Sequence, residues 1–107
     1  MLRIYLGEDD HAAGKRSYEA VVEAARRAGL AGATVLRGSL GYGAESVMHK
    51  PRLWHLSGDL PIVIEIVDSA AAIETFLPAL AELLKGGGLI TREKVLIVRY
   101  SESAEAP

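Results

Sequence analysis

The most constraining stretch of the chain is LPIVIEIVD, in which residues 62–67 are β-branched aliphatic at every position but one. A strand with one wet face alternates apolar and polar residues. A run this uniform instead predicts a central strand, or one covered on both sides. Glu65 interrupts it. An ionised carboxylate is expensive to bury unless it is paired, so Glu65 is expected to meet Arg3, Arg37 or Arg99 from a neighbouring strand or subunit. A catalytic role is the poorer reading, because spacing ties no nucleophile or histidine to Glu65.

The elements around this strand follow from periodicity. Leu2, Ile4 and Leu6 alternate with Arg3 and Tyr5, which predicts a first strand that ends at Gly7 and the acidic Glu8, Asp9 and Asp10. From about Lys15, the residues Tyr18, Val21, Val22 and Ala25 fall at helical spacing, with charged residues on the other side, and Gly29 ends the helix. Residues 33–36 read as a second strand running toward Gly38 and Gly41, whereas residues 42–58 have no firm period. After the central strand, Asp68 or Ser69 can cap a second helix with an apolar stripe of Ile73, Phe76, Leu77, Leu80, Leu83 and Leu84. Pro78 within it predicts a kink or an early first turn. KGGGLITREK reads as a turn and VLIVRY as the last strand.

This order of strand, helix, strand, loop, strand, helix, strand predicts an α+β fold. Its simplest form is a ferredoxin-like βαββαβ sandwich, an antiparallel sheet with two helices on one face. Residues 1–100 are expected to form the single domain and residues 101–107 a polar C-terminal tail. A domain of 107 residues buries roughly 65% of the surface its unfolded form exposes, which leaves no third layer for the second sheet face. A homo-oligomer packing sheet against sheet is the economical cover.

Composition removes several function classes. The chain has no cysteine, hence no disulfide, thiolate metal site or cysteine nucleophile. With a net charge of -2 and a pI of about 5.9, no electrostatic drive toward nucleic acid or an anionic membrane is expected. No segment approaches the roughly 20 apolar residues of a membrane span, and the apolar run in MLRIYLGEDD is too short for a signal peptide. A cytoplasmic protein that is not membrane-embedded is the expectation.

Candidate ligand groups cluster in RGSLGYGAESVMHKPR, residues 37–52. Gly38, Gly41 and Gly43 let backbone amides approach an anion, and Arg37, Lys50 and Arg52 can meet phosphates; turn geometry alone is the competing reading. KGGGL, residues 85–89, offers a second flexible backbone segment, or simply a glycine-stopped helix whose lysine complements the dipole. Arg92 and Lys94 are the better ligand candidates there, because they directly precede the expected last strand. His11, His49 and His55 have no third ligand at a known spacing, so no metal site is expected. Trp54 suits oligomer packing. Ser39, Ser46 and Ser57 lack a nucleophile elbow. With no set of acid, base and nucleophile, the chain is not expected to be an enzyme.

GLAGATV at residues 29–35, GYG at 41–43 and IEIVD at 64–68 resemble, in this order, runs of the PII signal-transduction proteins. LRIYLGEDD and GATVLRGSLGYGAES are closer still to the PII-like family known as domain of unknown function 190, and the resemblance covers about residues 2–100. It implies a homotrimer with small-molecule sites in the clefts between subunits, and a mobile loop that regulates a partner such as a transporter or an enzyme. By position, Thr34 matches the threonine of the PII adenine pocket, Gly41 and Gly43 its loop-base glycines, and Lys94 the lysine after its Gly-rich turn. Together with the residue-level candidates, the expected ligand-binding set is Thr34, Arg37, Gly38, Gly41, Tyr42, Gly43, Lys50, Gly87, Gly88, Arg92 and Lys94. The ligand class is a small anionic metabolite, foremost an adenine nucleotide, with no required cofactor. The pattern departs where PII proteins hold phosphates and 2-oxoglutarate. One extra residue separates TV from GYG, Ala44 replaces an arginine, Ile62 stands near a lysine's place, and the chain stops before the later arginines. A nucleotide with fewer phosphates, or another ligand, fits these departures. The alternative reading is a structural or divalent-metal-binding trimer similar to the CutA proteins, with no nucleotide role.

Overall fold

A computed structural model describes residues 1–42 and 60–99. Expectations for Gly43, Lys50, the loop at 44–58 with Trp54, His49 and His55, and the tail at 101–107 lie outside the described residues. The elements are β1 (Leu2–Gly7), β2 (His11–Ala12), β3 (Lys15–Arg16), α1 (Ser17–Arg27), β4 (Thr34–Arg37), β5 (Pro61–Ile66), α2 (Ala70–Leu84) and β6 (Leu89–Arg92). The main sheet has the order β4-β5-β1-β6 with every neighbouring pair antiparallel. This is the ferredoxin-like arrangement the sequence predicts, with β2 and β3 added as a separate small hairpin.

The period of two explains which sheet face is covered. Leu2, Ile4 and Leu6 from β1 and Ile62, Ile64 and Ile66 from β5 are all buried, and they form one cluster with Val21 and Ala25 of α1 and Ile73, Phe76 and Leu80 of α2. Both helices therefore lie on one face. Arg3, Tyr5, Val63 and Glu65 point to the other face and are only half-buried. The outward side of β5 carries Val63 and Glu65, and among the described residues no second layer covers it.

Local chemistry sets the helix ends. Ser69 caps α2, its Oγ accepting from the Ala72 N–H at 3.1 Å, and α2 continues through Pro78 to Leu84. At the far end Lys85 takes the left-handed conformation at φ 50° and its N–H donates to Ala81 O. Helix α1 begins later than its pattern suggests, at Ser17, because residues 11–16 turn back as the β2–β3 hairpin through Ala13 and Gly14.

The end of the chain corrects the sequence reading. The last strand of the sheet is LITR, residues 89–92, which the sequence reading placed inside a turn, and residues 95–98 form no strand. β6 starts after a tight approach. Gly88 sits at φ 78°, where a Cβ would come within 2.7 Å of Leu6 Cδ2 and 3.1 Å of the Tyr5 carbonyl oxygen. No helix among the described residues is long and apolar enough to cross a membrane.

Candidate functional site

The sheet register divides the sequence-predicted ligand residues between its two ends. Thr34 pairs with Glu65, Glu65 with Arg3 and Arg3 with Thr91, which places Thr34 near the end where Arg92 and Lys94 leave β6. Arg37 pairs with Ile62 and Ile62 with Leu6, the residue against which Gly88 packs, so Arg37, Gly38 and Gly88 occupy the opposite end. The two ends of β4 are about 10 Å apart, and the four strands span about 14 Å. The described members of the expected set thus do not form one cleft in a single chain.

At the first end, Thr34 lines an open cavity of about 450 Å³ with Ala31, Gly32, Glu65, Ile97 and Arg99. The loop that carries Gly32 is fixed from below, because the Ala31 N–H donates to Asp68 Oδ2 at 2.9 Å while Asp68 Oδ1 accepts from the Ser69 N–H at 2.7 Å. One carboxylate thereby joins the start of α2 to the approach of β4, and its negative charge suits the positive helix end. A Cβ at Gly32 would meet nothing within 4 Å, so this rim is open. Glu65 carries the negative charge in the cavity wall, and Arg3 compensates it across 3.1 Å, as the burial argument requires. Arg3 also reaches Glu93 at 3.1 Å.

A second cavity of about 540 Å³ lies beside it, bounded by the cap residue Ser69, by Ile73 of α2 and by Arg92, Lys94, Val95, Leu96 and Ile97. Arg92 is committed to α2, donating to Glu74 Oε1 at 2.6 Å and to the Ala70 carbonyl at 3.4 Å. Among the described residues, Lys94 has no ion-pair partner. Ile97 lines both cavities, so the segment after β6 forms their common wall.

At the opposite end the groups serve the framework. Arg37 is held by Glu8, at 2.7 Å from Nη2, and the Gly38 N–H donates to Pro61 O at 2.7 Å. A Cβ at Gly38 would lie 2.8 Å from Pro61 Cγ, so close packing accounts for that glycine. Gly87 donates its N–H to Leu84 O at 3.0 Å as part of the helix stop, and Gly88 is explained by its contact with Tyr5 and Leu6. Gly41 and Tyr42 follow β4, with Tyr42 exposed. The Glu8 carboxyl is held below its ordinary value by the Arg37 hydrogen bond first and by the Leu60 N–H and Arg16 thereafter.

Sequence reasoning passed over Glu8, Asp68 and Arg99 as site residues. For Glu8 a signal existed: an acidic residue directly after a strand ending in glycine, with arginine at the end of another strand. His11 lies exposed on the β2–β3 hairpin, and the described residues contain no group of three or more His, Cys, Asp or Glu side chains placed to hold a metal ion.

Comparison with known proteins gives one consistent result. The family DUF190 (Uncharacterized ACR, COG1993) matches residues 1–97. A UPF0166 protein of Aquifex aeolicus is 41% identical over 100 residues, covering 92% of this chain and 91% of the relative. UPF0166 protein MJ1524 of Methanocaldococcus jannaschii is 40% identical over 90 residues, covering 84% and 82%. A further UPF0166 protein of Aquifex aeolicus is 30% identical over 97 residues, covering 91% and 94%. With residues 1–97 matched by the family and relatives of 40–41% identity covering most of both chains, the chain belongs to the DUF190 (UPF0166) family.

Proposed function

We propose that this protein is a PII-like regulator that binds a small anionic metabolite, foremost an adenine nucleotide, in clefts between the subunits of a homotrimer. The observation that carries this reading is the Thr34 cavity. It opens at the free edge of the sheet, has a volume within the range of about 300–1,000 Å³ typical of small-molecule sites, and brings together the Thr34 hydroxyl, an open glycine rim and Arg99. The donor set suits an adenine nucleotide: Thr34 and the 31–33 backbone can meet the base or ribose, and Arg99, with Lys94 from the adjoining cavity, the phosphate. Glu65 disfavours dense negative charge in the same place, in keeping with a nucleotide of few phosphates.

The division of the ligand set between two sheet ends also favours a site shared by subunits. A ligand that touches both ends must draw them from different copies, and the half-buried open face with Tyr5, Val63 and Glu65 is a surface for such packing. The segment at 44–58 is the proposed contact for a regulated partner, coupled to ligand by a free energy of about 1–3 kcal/mol.

A thermal-shift panel tests the reading, with AMP, ADP, ATP, cyclic AMP, cyclic di-AMP, 2-oxoglutarate, bicarbonate and divalent metals. A ligand that binds only the folded form at about 100 times its Kd adds roughly 2.7 kcal/mol. A saturable upward shift with one adenine nucleotide, lost in Thr34→Val and in Lys94→Ala, is expected. A shift with copper or zinc alone would overturn the nucleotide reading in favour of a metal-binding trimer.

A further inference from the structure

We propose that the pocket between the last turn of α1 and residues 30–33 is a second ligand site, which takes a small carboxylate with a short aliphatic chain. The site is separate from the Thr34 cavity and stands whatever that cavity binds. Its volume is about 270 Å³, and it is lined by Val22, Ala25 and Arg26 of α1, by Leu30 and by residues 31–33.

The way α1 stops builds this pocket. Gly29 sits at φ 81°, and two backbone bonds close the turn, from the Gly29 N–H to Arg26 O at 3.1 Å and from the Leu30 N–H to Ala25 O at 3.1 Å. This pair of bonds around a left-handed glycine is the Schellman motif, which folds the next residue back over the end of the helix. Leu30 thereby packs against the core cluster that contains Ala25, and the chain passes the helix on its way to β4. Val22, Ala25 and Arg26 share one helix face, because residues three and four apart are neighbours there. The pocket therefore joins an apolar lining to one exposed cation.

Arg26 is a charge the framework does not use. Lys15 and Arg27 both pair with Glu23, at 2.6 Å and 3.8 Å, whereas among the described residues the Arg26 side chain has neither an ion pair nor a hydrogen bond. An arginine in a last turn can serve its own helix by capping free carbonyls. Here the carbonyls of Ala24, Ala25 and Arg26 already accept from the N–H groups of Ala28, Leu30 and Gly29, and Arg27 supplies a second charge to the same turn. A guanidinium free beside an apolar lining offers paired donors to a planar carboxylate.

Size and charge narrow the ligand class. The volume falls below the roughly 300–1,000 Å³ usual for drug-sized ligands, which is too little for a nucleotide. The lining holds a single cation, which suits one carboxylate better than a phosphate of higher charge. Val22, Ala25 and Leu30 suit a branched aliphatic tail. Residues 31–33 line this pocket and the Thr34 cavity alike, so their backbone is a wall common to both sites. Asp68 fixes that wall at the Ala31 N–H.

Titration of 3-methylbutanoate into the isotope-labelled full chain, followed through its backbone amide resonances, tests the site. Saturable shifts centred on residues 22–33 are expected. Affinity should fall about tenfold or more for the uncharged 3-methylbutanamide and in Arg26→Gln, which each remove the charge-assisted hydrogen bonds, and for acetate, which lacks the aliphatic chain. Arg26 is exposed, so the variant should keep the wild-type spectrum elsewhere. No saturable shift at these residues would overturn the proposal, and so would binding that Arg26→Gln or the amide leaves undiminished. Acetate binding as tightly as 3-methylbutanoate would also overturn it, by reducing the site to a surface guanidinium. None of these outcomes bears on the nucleotide reading, which the Thr34 variants test separately.

Discussion

The Arg37 guanidinium donates two hydrogen bonds to a single oxygen of Glu8, from Nε at 3.1 Å and from Nη2 at 2.7 Å. The other Glu8 oxygen accepts from the Leu60 N–H at 3.5 Å, and the Glu8 N–H donates to Leu60 O at 2.8 Å. A single residue at the end of β1 therefore holds both chain ends that flank residues 38–59. Its side chain is only 15% exposed.

This arrangement predicts a pH dependence with a definite sign. Because the folded protein holds the Glu8 carboxyl below its ordinary value of 4.5, its contribution to stability is present above that value and disappears as pH falls through the depressed one. Glu8→Gln is expected to lower the urea midpoint at pH 7, with the difference from wild type shrinking as pH drops below 4.5. An equal difference at pH 7 and pH 3 would show that the carboxylate charge is not what Arg37 reads.

Gly88→Ala is expected to destabilise by about 1–3 kcal/mol, through a left-handed backbone and contacts that force Leu6 or the strand to move. Gly29→Ala is the control: Gly29 has a similar positive φ, 81°, but a Cβ there would meet nothing within 4 Å, so it should cost only the backbone contribution of about 1–2 kcal/mol. Equilibrium unfolding of the two variants separates strain from crowding.

Ile64→Ala removes a fully buried side chain from the centre of β5, between Ile4 and Val35 in register and under both helices. A loss of about 2–5 kcal/mol is expected. Ser69→Ala should cost about 1 kcal/mol through the Ala72 cap alone. A comparable loss from the two would mean that the β5 site collapses around the deletion.

The sheet and both helices were legible in the sequence because their signals are local: alternation in residues 2–6, the uniform run at 62–67, the stripes of α1 and α2 and the cap at Ser69. Glu65 was also read correctly as needing an arginine, and Arg3 is that arginine. The end of the chain was not legible. LITR is short and follows three glycines, and its pairing with β1 is decided by a contact distant in sequence. VLIV has the propensity of a strand, but propensity reports a preference and not a partner, and among the described residues it pairs with none. The β2–β3 hairpin escaped because its strands have two residues each. That Arg92 lies toward the Thr34 end and Gly88 toward the Arg37 end depends on register across β5 and β1, which no residue pattern in β4 discloses.

The most direct measurement of the central claim is a calorimetric titration of ADP and AMP into the wild-type protein and Thr34→Val. Saturable binding of one of them at one site per chain, abolished in the variant while its oligomeric mass is unchanged, is the predicted result. Binding that Thr34→Val leaves intact, or no binding of any adenine nucleotide to the wild-type protein, would contradict a nucleotide site at the β4 edge.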